Sequence, residues 1–351
     1  MGSRAQIPSP TRYRGRFAPS PTGPLHFGSI TTAVGSYLEA RRAGGEWHIR
    51  IDDLDRARTV PGAADDILRT LEALGFEWTG PVRYQSQRDE SYAAALAQLQ
   101  ADGLVFPCSC SRRELQQLTQ SQPDTGVDVD ELRYPGFCRN GPLAPERGTA
   151  VRFRVPDGAV EFDDGLQGHS TNDVQQESGD FVVRRRDGLF AYQLACVVDD
   201  HEHGFTHIVR GADLLASTAR QLLLQRALRY TPMLYAHLPL MMDASGRKLS
   251  KSSAAPAAHA ASGPAVLWQA LTQLQQAPPA YLPGADIKDV WAWAHAHWSL
   301  EPLRGKRCVV VSTENSNGAG EIALAPLGCT SAIGLVLPHA SIQIGQLAPQ
   351  T

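Results

Sequence analysis

Apolar residues along the first hundred or so positions switch between two spacings. YRGRFA at 13–18 is a short run that predicts a strand, and beyond it Ile30, Ala33, Val34, Tyr37 and Leu38 recur at helical intervals. That helix is expected over about 26–43, because Arg41 and Arg42 followed by Gly44 and Gly45 are stop signals. WHIRIDDLD at 47–55 predicts a second strand that breaks into an acidic turn, and helices are expected over about 62–75 and 87–102. Strand, helix, strand at this spacing implies an α/β fold with a parallel sheet and crossover helices. Such sheets take ligands beyond the carboxyl ends of their strands, where the loop at 16–25 and the turn at 52–55 would both fall.

Further on the pattern loosens. From Cys108 to about 150 the chain is polar, rich in Pro and Gly, and carries three cysteines; an insertion over about 103–150 fits this texture. Strands are expected at 151–155, 159–163, 181–186, 189–192 and 205–210, then a helix over 213–229. HLPLMMDASGRKLSKSS follows, and helices are expected over about 264–275 and 286–297. Residues 1–12 read as a flexible arm, and 304–351 as an atypical, disordered tail with neither period. The resulting division is a catalytic domain over 13–240 and a loop-plus-helices region over 241–303.

Composition narrows the class. The chain has 351 residues, 42% apolar and 20% charged, with net charge −3, an ordinary globular balance without the excess cation of a nucleic-acid coat. A local basic face can still hide in such a total. No apolar run approaches the ~20 residues of a membrane span, and MGSRAQIPSPTR has no apolar core of a secretion signal. A cytoplasmic protein with no membrane partner is expected, its six cysteines thiols or metal ligands.

Two stretches carry candidate chemistry. In RFAPSPTGPLHFGS (16–29), Pro21 and Pro24 stiffen a loop, Gly23 permits a turn, and His26 stands at a helix start whose free N–H groups favour an anion. Gly28 leaves room for a flat ring against the backbone. The plainer reading is a Pro-rich turn that caps a helix. In GRKLSKSS (246–253), two lysines three apart form a cationic loop suited to phosphate oxygens; alone it reads equally as a solvated basic loop.

Together the two resemble the paired motifs of class I aminoacyl-tRNA synthetases. RFAPSPTGPLHFGS, RIDDLD, GLFAYQLA, THIVRGADLL and GRKLSKS stand in the order of the glutamyl-tRNA synthetase branch, over about 13–300. Because only about 50 helical residues follow Lys251, too few for an anticodon-reading domain, the chain is most similar to the truncated glutamyl-queuosine tRNA(Asp) synthetase family. The resemblance implies a Rossmann-type parallel sheet with a zinc-bearing insertion and a small helical stem-contact-like extension. It implies a ligase acting as a monomer, which joins ATP and L-glutamate into glutamyl-adenylate. Glutamate then passes to the queuosine base at the wobble position of tRNA(Asp).

The resemblance also assigns residues. Arg16, Phe17, Ala18, Pro19 and Ser20 would line the glutamate site, with Asp52 for the ammonium, Tyr192 as a hydrogen-bonding partner and Arg210 for the side-chain carboxylate. Asp52 is one methylene shorter than the glutamate of many relatives. His26, Gly28, Lys248 and Lys251 would be catalytic, and His26, Gly28, Ser29 and Lys251 would bind ATP, with Mg2+ accompanying it. Cys108, Cys110, Tyr134 and Cys138 match a structural zinc site, although 23 residues separate CSC from Tyr134. Cys196, Cys308 and Cys329 read as structural or incidental.

Rival readings are a short or split glutamyl-tRNA synthetase charging a tRNA 3′ end, and a non-catalytic RNA-binding paralogue. DDHEHGFTH (199–207) invites a metal reading, but 205–210 suits a strand better than a ligating helix. The run Arg184, Arg185, Arg186 suits either tRNA phosphates or a solvated hairpin.

Overall fold

Three parallel strands, β1 (Arg14–Phe17), β2 (Glu46–Ile51) and β3 (Arg83–Tyr84), pair in that order. The structure is a computed structural model and describes residues 12–119, 133–242 and 262–310. Helix α1 (Phe27–Arg42) makes the first crossover and α2 (Ala63–Ala73) the second. β2 is buried at every position after Glu46, so it needs apolar cover on both faces. α1 supplies part of that cover through Ile30, Ala33, Val34, Tyr37 and Leu38, the residues whose spacing predicted it. Trp47 stacks on Phe76 at 5.5 Å and meets Tyr37 edge-on at 5.2 Å.

After α3 (Asp89–Ala101) comes an antiparallel sheet in which β5 (Ala150–Phe153) lies between β4 (Val105–Cys108) and β8 (Val182–Arg184). β4 runs into the CSC stretch, and helix α4 (Arg112–Thr119) follows it. β6 (Val160–Asp164) and β7 (Gly168–Asn172) form a hairpin, and α5 (Val174–Glu177) is a single turn.

The second half rebuilds a parallel layer. α6 (Tyr192–Glu202) leads into β9 (His207–Gly211), α7 (Leu215–Ala227) and β10 (Leu234–Leu238), and β10 lies parallel between β9 and β6. β9 comes alongside β1, where the Thr206 N–H donates to Arg14 O at 2.9 Å and the Arg14 N–H donates to the Thr206 hydroxyl at 2.9 Å. The carboxyl ends of β1, β2 and β9 therefore open to one side. Beyond them, α8 (Gly263–Gln273) and α9 (Ile287–His297) pack on the first core, with the Trp291 Nε1–H donating to Leu74 O at 2.8 Å.

Three segments differ from the expectation. The strand proposed at 189–192 shrinks to one antiparallel bridge, Phe190 with Arg184, and α6 begins at Tyr192, its residues Leu194 through Asp200 all buried. Covered all round over that stretch, LACVVDD has no amphipathic period to announce the helix. β10, in LYAHL, and β11 (Leu240–Met242) arise where no strand was expected. The stretch after 304 holds β12 (Cys308–Val310), paired in parallel with β11. Among the described residues, no helix is long and apolar enough to cross a membrane.

Candidate active site

The loop after β1 is fixed by backbone bonds to the segment after β2. The Asp52 N–H donates to Pro19 O at 3.0 Å and the Val60 N–H to Pro21 O at 2.9 Å. Gly23 has φ 133°, a conformation that a side chain resists. His26 is the N-cap of α1: its Nδ1 accepts from the Ser29 N–H at 3.2 Å, and its Nε2 lies 3.0 Å from the Ser29 hydroxyl. A Cβ at Gly28 would come within 3.3 Å of the His26 ring. The His26 ring therefore lies against Gly28.

Arg16, Asp52, Tyr192 and Arg210 line one cavity of about 320 Å³, together with His26, Gly28 and the loop 17–20. The charges in it are braced from behind. Arg50, fully buried in mid-β2, donates to Asp52 through Nε (2.6 Å) and Nη2 (3.2 Å), and to Asp200 through Nη1 (2.6 Å). Asp200 in turn accepts from Arg16 Nε at 3.1 Å and Nη2 at 3.0 Å. Burial would raise the Asp200 carboxyl, but Arg16 and Arg50 outweigh it and hold it well below the usual carboxylate range. Burial pushes Asp52 up to about 6 against the pull of Arg50. Arg16, expected to face the substrate, has two of its three nitrogens committed to Asp200, which leaves Nη1.

Arg210 is held at the ends of β9 and β10. Its Nε donates to His237 Nε2 at 3.0 Å and its Nη2 to the Thr218 hydroxyl at 2.9 Å, while Nη1 is buried with no partner among the described residues. Such an unpaired donor beside a cavity is available to a ligand oxygen. Sequence reasoning missed Arg50, Asp200 and His237. A charged residue in the middle of WHIRID was the available signal for Arg50, since a buried charge needs partners. Lys248 and Lys251 lie outside the described residues.

Cys108, Cys110 and Cys138 have their sulfur atoms within 4.8 Å of one another, and among the described residues they are the His, Cys, Asp and Glu group close enough for a metal. Cys110 Sγ is 3.6 Å from Cys138 Sγ, and the Tyr134 hydroxyl is 3.4 Å from Cys108 Sγ. With Zn–S near 2.3 Å, a tetrahedral site has S···S edges of about 3.8 Å, so three sulfurs and the phenol oxygen fit a four-coordinate ion. Burial and the neighbouring Cys108 push Cys110 up to about 12. At Cys138 burial is outweighed by N–H groups of Leu143 and Ser109 and by Tyr134 and Cys110, which bring the thiol down to about 6.

Arg152 lies over the Tyr134 ring at 3.9 Å, and its Nε donates to Cys108 Sγ at 3.3 Å. Cys196, read as incidental, is buried against Arg16, Arg50 and Asp200. Cys308 is disulfide-bonded, against the expectation that all six cysteines are thiols or ligands.

A wider cleft of about 1080 Å³ joins the two regions, running from Ser20, Asp52 and Tyr192 to Cys110 and Ser111. Arg185 and Arg186 of the triple-arginine run stand on its wall, and all three arginines are engaged. Arg186 donates to Ser109 O at 2.6 Å, Arg185 reaches Asp55 at 3.2 Å and Asp187 at 2.7 Å, and Arg184 donates to Gly188 O at 3.2 Å. The histidines of DDHEHGFTH divide between the end of α6, the following turn and β9.

The family pattern described as tRNA synthetases class I (E and Q), catalytic domain, matches residues 12–261. The chain is 54% identical over 291 residues to the glutamyl-Q tRNA(Asp) synthetase of Dechloromonas aromatica (strain RCB), covering 83% of this chain and 95% of that one. To the enzyme of the same name from Pseudomonas aeruginosa (strain PAO1) it is 47% identical over 302 residues, covering 86% and 98%. Among solved structures it resembles a glutamate tRNA ligase from Elizabethkingia meningosepticum in complex with its amino acid, with TM-score 0.68 and 26% identity over 84% of this chain and 66% of that longer one.

Proposed function

Because the chain belongs to the glutamyl-Q tRNA(Asp) synthetase family of class I synthetases, we propose that its cavity activates L-glutamate with ATP and passes it to the queuosine base of tRNA(Asp). The observation that carries this reading is the composition of the 320 Å³ cavity. A buried guanidinium with a spare N–H and a carboxylate braced by Arg50 line the same space, as an acidic side chain and an ammonium require.

In the first step the glutamate α-carboxylate attacks the α-phosphorus of ATP, a mixed anhydride forms and pyrophosphate leaves. Arg210 takes the side-chain carboxylate and so favours glutamate over glutamine; Asp52 takes the ammonium, directly or through a water. Tyr192 and the loop from Arg16 to Ser20 close the pocket. His26, Gly28 and Ser29 meet the nucleotide at the start of α1, and Lys248 and Lys251 follow the phosphates as charge shifts in the transition state. Mg2+ accompanying ATP would supply charge neutralisation there. In the second step a hydroxyl of the queuosine cyclopentenediol attacks the acyl carbon, an ester forms and AMP leaves. The wide cleft beside Tyr192 is the entry for the anticodon loop, and Cys108, Cys110, Cys138 and Tyr134 would hold a zinc ion that would stiffen its far wall.

The experiment is glutamate-dependent ATP–pyrophosphate exchange without tRNA. Exchange with glutamate, none with glutamine, and a sharp loss in Lys251→Ala are expected. Equal exchange with both amino acids would overturn the assignment of Arg210.

A further inference from the structure

Behind Arg210 lies a buried pair that none of the sequence motifs includes. Asp164 ends β6 and His237 stands beside it on β10; His237 is fully buried and Asp164 is 5% exposed. Asp164 Oδ1 accepts the N–H groups of Leu166 (3.0 Å), Gln167 (2.9 Å) and His237 (3.1 Å), while Oδ2 lies 2.5 Å from His237 Nδ1. An ionised carboxylate only accepts, so the ring proton belongs on Nδ1. The other nitrogen of the neutral ring, Nε2, then carries a lone pair, and the Arg210 Nε–H points to it at 3.0 Å.

Burial holds His237 below the ordinary imidazole value. At Asp164 burial acts upward, but His237 and the Gln167 and Leu166 N–H groups outweigh it and hold the carboxyl low. The charge states therefore agree with the geometry. Thr218 completes the arrangement: its hydroxyl receives Arg210 Nη2 at 2.9 Å and lies 3.2 Å from His237 Nε2. Two of the three guanidinium nitrogens are thereby fixed, and the buried Nη1 remains.

We infer that Asp164 and His237 form a positioning dyad that sets the orientation of Arg210, and with it the selection of glutamate. Asp164 fixes the tautomer, the tautomer makes Nε2 an acceptor, and the acceptor holds the fork so that Nη1 meets the side-chain carboxylate. The inference rests on the reading that Arg210 binds that carboxylate.

Asp164→Asn tests it with little change of shape. Three N–H donors converge on Oδ1, so the amide oxygen takes that place and the amide NH2 faces His237 Nδ1. The ring must then accept at Nδ1 and carry its proton on Nε2, against the Arg210 Nε–H. The expected result in pyrophosphate exchange is a glutamate KM raised about tenfold or more, of the order of one lost hydrogen bond to a charged group, with the ATP KM and Tm near wild type. Combined with Arg210→Gln, it should add nothing further.

An unchanged glutamate KM in Asp164→Asn, where Arg210→Gln raises it, overturns the dyad. An unchanged KM in Arg210→Gln overturns the underlying reading instead. Should the Asn variant fail to fold, 15N NMR of the His237 ring in the wild-type chain decides. A proton on Nδ1 and a bare Nε2 are expected, and a proton on Nε2 sinks the inference.

Discussion

The amino-acid pocket and the cysteine cluster both gather polar groups from distant parts of the chain, and they end in opposite electrostatic states. In the pocket, Arg16, Arg50, Asp52 and Asp200 already neutralise one another, so the site is in order before any ligand arrives. In the cluster, Cys108, Cys110 and Cys138 crowd three sulfurs within 4.8 Å with Arg152 donating to Cys108, an arrangement that could hold a metal ion. The first spends its charges on preorganisation; the second leaves a place for a ligand that holds a loop together. The lesson is that ion pairs behind a site and ion ligands within one are told apart by whether the charges balance without help.

The largest effect should come from breaking the first of these. Arg50→Met leaves Asp52 and Asp200 buried without their shared partner, a change that costs roughly 3–5 kcal/mol when a buried pair is broken. Urea unfolding should show that loss, and a wild-type midpoint would mean the pocket does not depend on its brace. Arg210→Gln should raise the glutamate KM about 100-fold, the size of a lost charge-assisted fork, and steady-state exchange kinetics measure it.

A smaller effect is expected from pH. Asp52, pushed up to about 6 by burial, must be ionised to hold an ammonium, so acid weakens the contact. The glutamate KM should rise about tenfold between pH 7 and 5, as one group near 6 takes up its proton. A flat profile would show that Asp52 does not read the ammonium.

The smallest effect is the one that separates the two regions. At the proposed zinc site, a chelator or Cys138→Ser should take metal content to near zero and expose the insertion in hydrogen exchange. Glutamate-dependent exchange should stay within about threefold, because independent sites contribute separately. A collapse of exchange would mean that the insertion and the pocket form one unit.

Much of this was legible in the sequence where the backbone is set locally. Pro21, Gly23 and Pro24 fix the loop, and the α1 stripe shows a clean helical period. The site residues Arg16, Asp52, Tyr192 and Arg210 came from motif resemblance, and they do share a cavity. What the local pattern could not reveal depends on partners far away. The middle of α6, Leu194 to Asp200, is covered on every side and so shows no period. Arg50 is recognisable only as a charge inside a strand, and nothing near it names Asp200 as its mate. Asp164 and His237 look like ordinary polar residues until β6 and β10 pair.

The central claim is the acceptor. Purified protein, ATP and labelled glutamate should be offered tRNA(Asp) with and without queuosine, beside glutamate tRNA. Label that appears only in the queuosine-containing tRNA(Asp) is the predicted result. Label on glutamate tRNA, with none on tRNA(Asp), would contradict it.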